Sequence, residues 1–112
     1  MKVITAVLRP DKVDDVARDL INAGARGMTV TEVLGFGQQH GHAQGPSAAE
    51  RGALLLPKVR IDVVVRDQDA TAVAEAIAKS AKSDAIGDGK IWVCPVEGAL
   101  RVRTGERDDD AI

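Results

Sequence analysis

The sequence contains no tyrosine, one phenylalanine and one tryptophan. Its single cysteine, Cys94, excludes an internal disulfide and favours a reducing compartment. No apolar run approaches the roughly 20 residues that a membrane-spanning helix needs. The apolar start, Met1 to Leu8, is too short for a signal peptide because charged residues follow it at once. We therefore expect a cytoplasmic protein that does not insert directly into a membrane.

An excess of charge of either sign is also absent, since 15 lysines and arginines stand against 17 aspartates and glutamates. Without a broad basic field, binding to nucleic acid by general electrostatics is not expected. The 112 residues correspond to a single domain, 1–112. A domain of this size buries only roughly 60–70% of the surface of its unfolded chain. We therefore expect oligomerisation to add to its stability.

Hydrophobic periodicity divides the chain into two β-α-β halves of similar length. Four segments have the alternation or β-branched composition of strands: Lys2 to Leu8, Met28 to Leu34, Leu54 to Val65 and Lys90 to Val96. Two segments have the apolar spacing of helices: Asp11 to Ala23 and Asp67 to Lys82. The polar stretch 38–53 has neither period and is predicted to be a long loop, of the kind that is usually functional or mobile. This order predicts an α+β fold of the ferredoxin-like type, a four-stranded antiparallel sheet with both helices on one face.

Local signals refine this prediction. Gly24 fits the C-terminal cap of the first helix, and Asp67 or Asp69 is predicted to cap the start of the second. The helix-free face of the sheet must be covered where it is apolar. The candidates to face a neighbouring subunit are Val3, Thr5 and Val7, or alternatively Val63 and Val65. We expect a closed homo-oligomer.

The stretch Gly87-Asp88-Gly89-Lys90 is the strongest candidate for binding chemistry. Two glycines let backbone N–H groups crowd around an anion, and Lys90 adds a cation. Arg101 and Arg103 alternate in a segment predicted to be extended, so both would lie on one side. Three converging cations suit a polyphosphate, because arginine binds phosphate oxygens in a bidentate way. The alternative is a plain tight turn, for which Asp-Gly is a strong signal.

Other candidates are less specific. Gly35-Phe36-Gly37 at a strand end allows close backbone approach to a ligand, or serves as a hinge for the loop. Lys58 and Asp62, four residues apart on one strand, share a face. His40 and His42 suggest a metal site, but structural zinc usually takes four ligands. Cys94 is flanked by apolar residues and is interpreted as a core residue. No serine-histidine-aspartate set or carboxylate pair marks an active site, so we expect no enzyme.

Several blocks of residues keep an unbroken spacing along the whole chain. They are Arg9-Pro10 with Lys12, Asp14, Asp15 and Val16; Gly27 to Val33; Gly35 to Gly37; Gly41-His42; Leu56 to Val59; Ile86 to Trp92; Arg101 with Arg103 to Glu106; and Ala111-Ile112. With these blocks the chain resembles the P-II nitrogen-regulatory signal-transduction proteins. The resemblance implies a homotrimer of ferredoxin-like subunits with ATP or ADP in the clefts between neighbours.

The resemblance also implies site residues. The phosphates would be held by Gly87, Asp88, Gly89, Lys90, Arg101 and Arg103. The adenine and ribose region would be lined by Thr29, Gly35, Phe36, Gly37, Asp62, Val64 and Ile86. Gln39 would ligate Mg²⁺ with the phosphates, and 2-oxoglutarate would complete the metal's octahedral oxygen shell. Lys58 would pair with the distal carboxylate of 2-oxoglutarate, assisted by Gly37, Gly41 and Gly87.

In this family the long loop, here residues 37–55, docks on protein targets, which implies an ammonium transporter, a nitrogen-assimilation enzyme or a regulator as partner. A tyrosine at the loop tip is often nucleotidylated; the aligned residue here is Arg51, so uridylylation or adenylylation of tyrosine is impossible. Ala49 stands where some relatives phosphorylate a serine. Gln38 and His40 replace cations that are common at those positions. Asp62 replaces a more usual glutamate.

Three hypotheses follow from the sequence. The first is a P-II-type sensor of ATP/ADP and 2-oxoglutarate that regulates a protein partner and at most hydrolyses ATP slowly. The second is a diverged paralogue that senses adenine nucleotides alone and regulates a non-standard partner or transporter. The third is a small ferredoxin-like enzyme or metal-binding domain that uses His40, His42 and Cys94. Residues 101–112 form a C-terminal loop, and its Arg101 and Arg103 belong to the nucleotide site in the first two hypotheses.

Overall fold

The computed structural model describes residues 1–37 and 54–112. These residues form four strands and two helices: β1 (Lys2–Leu8), α1 (Val13–Asn22), β2 (Thr29–Gly35), β3 (Leu56–Val65), α2 (Ala70–Ala81) and β4 (Lys90–Pro95). The strands make one antiparallel sheet in the order β2-β3-β1-β4. The predicted ferredoxin-like fold is therefore confirmed. The loop predicted at 38–53 lies outside the described residues.

Both helices begin later than the periodicity predicts. A single 3-10 turn precedes each of them, Pro10–Lys12 before α1 and Asp67–Asp69 before α2. Gly24 follows the C-cap residue of α1 at φ +92°, a conformation that favours glycine, so the predicted helix end is confirmed. Asp69 is the N-cap residue of α2 but its side chain makes no capping hydrogen bond. The Asp67 carboxylate instead lies 2.8 Å from the amino group of Met1 and 3.8 Å from the Lys2 ammonium, so the predicted side-chain cap is wrong.

The core lies between the helices and one face of the sheet. Strand alternation places every second residue of β1 and β3 on this face, where the apolar stripes of α1 and α2 cover them. The buried core residues are Ile4, Ala6, Leu8, Val16, Leu20, Val59, Ile61, Val63, Val65, Ala70, Val73, Ile77 and Ala81. Within the described part of the chain, neither helix is long and apolar enough to span a bilayer.

On the opposite face of the sheet, residues 1–37 and 54–112 place no helix. Val3 and Val7 are only partly buried and alternate with the core residues Ile4, Ala6 and Leu8, so they lie on this open face. Val63 and Val65, the alternative candidates for a subunit contact, are buried in the core, and that alternative is wrong.

Strand β4 differs from the prediction as well. Cys94 is opposite Val3 in the β1–β4 register and is exposed, so its interpretation as a core residue is wrong. Trp92, opposite the buried Thr5, is 39% exposed. The apolar sequence of β4 therefore supplies the open face as well as the core, because neither of the two described helices covers that side of this edge strand.

Candidate anion-binding site

The turn before β4 depends on two glycines. Gly87 has φ +100° and Gly89 has φ +107°, values that side-chain-bearing residues rarely adopt. A Cβ atom added to Gly89 would lie 1.9 Å from the carbonyl oxygen of Val7, so only glycine allows the turn to approach β1 this closely. The N–H groups of both glycines have no hydrogen-bond acceptor among residues 1–37 and 54–112. The predicted glycine turn is confirmed, and it presents unpaired amides suited to an anion.

Asp88, between the two glycines, stabilises the turn through hydrogen bonds from Ser83, which follows α2. The Ser83 N–H donates a 2.7 Å hydrogen bond to Asp88 Oδ2, and the Ser83 hydroxyl donates a further bond to Oδ1. These two bonds, with a smaller effect of the Arg9 guanidinium, lower the pKa of the Asp88 carboxyl. Asp88 is therefore an anion at neutral pH that closes the loop after α2, and it is not among the residues that line the cavity described below.

Lys58 approaches the same turn from β3. Its ammonium lies 3.5 Å from the carbonyl oxygen of Gly87. Desolvation, and then the positive charge of Arg9, lower the pKa of Lys58. Two cations near one another are favoured when an anion lies between or beside them, so this region has the electrostatics of an anion site.

A cavity of about 440 Å³ connects these groups, and we call it the anion cavity. Its lining contains the end of β2, the Lys58 side chain and the glycine turn. The lining residues are Val7, Gly35, Phe36, Gly37, Lys58, Ile86, Gly87, Gly89 and Lys90. All of these except Val7 are residues that the sequence analysis selected. The structure thus brings together two glycine segments that are 50 residues apart in the sequence, together with two lysines.

The remaining selected residues of β2 and β3 lie elsewhere. Thr29 is opposite Asp62 in the β2–β3 register, and Val64 is two residues further along β3. At about 3.3 Å per residue, Asp62 is roughly 13 Å from Lys58 along the strand. The two residues share the open face as predicted, but they are too far apart to pair. Within one protomer, Thr29, Asp62 and Val64 therefore do not line the anion cavity.

Asp62 is held by its own neighbours. Thr5 Oγ1 donates a 2.6 Å hydrogen bond to Asp62 Oδ1, and Arg60 Nε donates a 3.1 Å bond to Oδ2. The Arg60 bond first, and then the Thr5 bond, lower the pKa of the Asp62 carboxyl. Thr5 is buried, and its hydroxyl is satisfied by this contact.

Arg101 and Arg103 do not lie on an extended segment, so that prediction is wrong. The Gly105 N–H donates to the Arg101 carbonyl, and the Arg101 N–H donates to the Glu106 carbonyl, which closes a turn over 102–104. The Arg101 guanidinium donates a 3.0 Å bond to the Glu106 carboxylate. Neither arginine lines the anion cavity of its own chain. The backbone turns here because Thr104 and Gly105 favour a turn over a strand.

Arg9 is the residue that sequence reasoning missed. Its Nη2 donates a 2.7 Å hydrogen bond to the carbonyl oxygen of Ile86, and its Nε lies 3.6 Å from the Asp88 carboxylate. In the sequence Arg9 belongs to the block Arg9-Pro10, whose proline predicts where β1 ends, but neither signal predicts a contact with a turn 77 residues away.

Several residues named in the sequence analysis lie outside the described part of the chain: Gln38, Gln39, His40, Gly41, His42, Ala49 and Arg51. Gln39, which the resemblance implies as a Mg²⁺ ligand, and the histidine pair are among them. Among residues 1–37 and 54–112, no group of three or more histidine, cysteine, aspartate or glutamate side chains is placed to hold a metal ion. Cys94, on the open face of β4, therefore has no cluster of metal ligands around it within these ranges.

Comparisons with known proteins identify one family. Residues 1–106 match the family model described as nitrogen regulatory protein P-II. The chain is 49% identical to a nitrogen regulatory protein P-II of Haemophilus influenzae and 47% identical to one of Cereibacter sphaeroides. It is 44% identical to the nitrogen regulatory protein GlnK of Escherichia coli. In each case the similarity covers 112 residues, all of this chain and all of the relative.

Proposed function

Because the chain belongs to the nitrogen regulatory protein P-II family, we propose that it is a regulatory signal-transduction protein whose anion cavity receives the phosphates of ATP or ADP. The observation that carries this proposal is the cavity itself, a space of about 440 Å³ lined by Lys58, Lys90 and two glycines, Gly87 and Gly89, whose N–H groups have no acceptor among the described residues. Backbone amides and cations in such a nest are the groups that bind polyphosphates.

The separation of the selected residues supports a site shared between subunits. Within one protomer, none of Thr29, Asp62 and Val64 lines the anion cavity, and Asp62 lies roughly 13 Å along β3 from Lys58. Arg101 and Arg103 do not line that cavity either. In the proposed homotrimer, the open sheet faces pack together and each cleft takes its phosphate site from one subunit and further residues from its neighbour. Val3, Val7 and Trp92 give this face the apolar surface that such packing buries.

The proposed effectors are ATP or ADP, Mg²⁺ and 2-oxoglutarate. Within the anion cavity, Lys58 has the charge to pair with a carboxylate, and Gly37 and Gly87 lie beside it. In this proposal Gln39 ligates Mg²⁺ together with the nucleotide phosphates, and bound Mg²⁺ supplies coordination sites for a chelating oxo-acid. Binding of the two effectors is then cooperative, because the metal held by ATP forms part of the second site.

The output in this proposal is docking of residues 37–55 on a protein target, either an ammonium transporter or an enzyme or regulator of nitrogen assimilation. Because the chain has no tyrosine, regulation proceeds without tyrosine nucleotidylation. The effectors act by changing the conformation of these residues, whose base adjoins the anion cavity through Gly35, Phe36 and Gly37.

Calorimetric titration with ATP and Mg²⁺, with and without 2-oxoglutarate, tests this function. Lys90→Ala is expected to weaken ATP binding by roughly 1–3 kcal/mol, the value of a charge-assisted hydrogen bond. Lys79→Ala, which removes an exposed lysine of α2 away from the cavity, is the matched control and should bind as wild type. Equal ATP affinity of the Lys90 and Lys79 variants would refute the site.

The same titration separates the two sensor hypotheses. Tighter ATP binding in the presence of 2-oxoglutarate supports the carbon and nitrogen sensor proposed here. ATP binding that 2-oxoglutarate leaves unchanged would support the paralogue that reads adenine nucleotides alone. Light scattering on the same sample tests the trimer, which has three times the 11.8 kDa mass of the chain.

A further inference from the structure

The glycine turn of the anion cavity needs an external anchor. Gly87 and Gly89 give it backbone freedom, so many conformations other than the observed one are open to it. Within the turn, the Asp88 N–H makes a single bond of 3.3 Å to the Ala85 carbonyl. This bond and the Ser83–Asp88 contacts hold the side of the turn that faces α2. The peptide group between Ile86 and Gly87 makes no hydrogen bond within the segment from Ser83 to Gly89.

Arg9 supplies that partner from another part of the chain. Its 2.7 Å bond to the Ile86 carbonyl is charge-assisted, and its Nε lies 3.6 Å from the Asp88 carboxylate. One guanidinium therefore hydrogen-bonds the carbonyl before Gly87 and lies within ion-pair distance of the carboxylate after it, although its Nε makes no hydrogen bond among the described residues. The planar, forked shape of this group suits two contacts at once in a way that a lysine ammonium does not.

The backbone of Arg9 is itself firmly placed. Pro10 disfavours the helical region for the residue before it, and Arg9 accordingly has φ −64° and ψ 139°. The preceding residue, Leu8, is 1% exposed and anchors the end of β1 in the core. Arg9 thus extends from a rigid position, which is what a residue that orients a flexible turn requires.

We propose that Arg9 is a positioning residue of the anion cavity, which holds the Ile86 carbonyl and thereby fixes the direction of the Gly87 N–H. In a trans peptide the C=O and the following N–H point in opposite directions, so fixing one fixes the other. The Gly87 N–H has no acceptor among the described residues and faces away from the Arg9 guanidinium. This inference rests on the proposed function, in which that amide meets a phosphate.

The test uses the full chain, labelled with ¹⁵N, and inorganic tripolyphosphate as the probe. The variants are Arg9→Met and Arg9→Lys, and the control is Arg18→Met, which removes a 70% exposed guanidinium from α1. In the free protein, the amide resonance of Gly87 should move in both Arg9 variants and stay in place in the control. Gly105, whose N–H is bonded to the Arg101 carbonyl, is an internal reference that should not move in any of them.

Binding supplies the second readout. Tripolyphosphate affinity should fall about tenfold in Arg9→Met, as for the loss of one well-placed hydrogen bond, and be only partly restored in Arg9→Lys. Full restoration by lysine would overturn the proposal, because charge alone would then suffice. An unmoved Gly87 resonance in both variants would overturn it as well. If Arg9→Met does not fold, the resonance and affinity of Arg9→Lys decide.

Failure of the proposed function has a different signature. If wild-type protein binds neither tripolyphosphate nor ATP, the function is refuted while the Gly87 resonance still reports whether Arg9 orients the turn. If wild type binds both probes and the Arg9 variants match the Arg18 control in both readouts, the function stands and the role of Arg9 is refuted.

Discussion

Replacing Gly89 by alanine should strongly destabilise the fold and abolish the anion cavity. The backbone strain at φ +107° contributes about 1–3 kcal/mol. The new Cβ would lie 1.9 Å from the Val7 carbonyl oxygen, 3.0 Å from its carbon and 3.2 Å from Leu8 Cα. All three atoms belong to the backbone of an inner strand, so none can rotate away. Strain and overpacking together predict a loss of about 2–6 kcal/mol in the free energy of unfolding.

Two other glycines provide matched controls. Gly24 has a positive φ of +92° but open space around a built Cβ, so Gly24→Ala measures strain alone, about 1–3 kcal/mol. Gly27 has neither feature, so Gly27→Ala should stay within about 1 kcal/mol of wild type. The assay is equilibrium unfolding in denaturant at a fixed protomer concentration, because oligomers change apparent stability with concentration. The reasoning is refuted if Gly89→Ala is no less stable than Gly24→Ala.

Two further predictions concern the sheet and the core. Hydrogen bonds from Arg60 and then Thr5 lower the pKa of Asp62, so its stabilising effect is complete above the ordinary aspartate pKa and is lost as the pH falls through the lowered value. The stability difference between wild type and Asp62→Asn, measured by denaturant unfolding, should therefore shrink on acidification; a constant difference would contradict this. Ile77 is fully buried, so Ile77→Ala should cost about 2–5 kcal/mol in the same assay. Val102 is 98% exposed, so Val102→Ala should change stability by less than about 0.5 kcal/mol, and equal losses in the two variants would show that the core assignment is wrong.

The elements of the fold could be predicted because each has a local cause. Alternation in β1 and β3 and the apolar stripes of α1 and α2 identified the strands, the helices and their order. The bounds differed by two or three residues where 3-10 turns precede the helices. Side-chain exposure in β4 was not predictable in this way, because an apolar strand sequence does not distinguish side chains that a helix of the same chain covers from side chains that the protomer leaves exposed. Cys94 is the clearest example.

The site was predictable where the backbone needs a special residue. Gly87 and Gly89 are predicted from the sequence to let backbone N–H groups crowd around an anion or to form a tight turn, and the structure shows both at positive φ in such a turn. The conformation around Arg101 and Arg103 depends on hydrogen bonds between 101 and 106, which their alternation did not reveal. Arg9 acts across 77 positions of sequence, and no local pattern reports such a contact.

The anion cavity takes its lining from β1, the end of β2, β3 and the turn before β4, so no two neighbouring elements contain it. Contacts between distant parts of a chain form late in folding, because the entropy of closing long loops must be overcome first. The cavity is therefore complete only when the whole sheet is paired, and a ligand held there stabilises the fully folded chain alone. Saturating ligand should consequently slow hydrogen exchange at core amides such as that of Ile4, which open only when the entire domain unfolds.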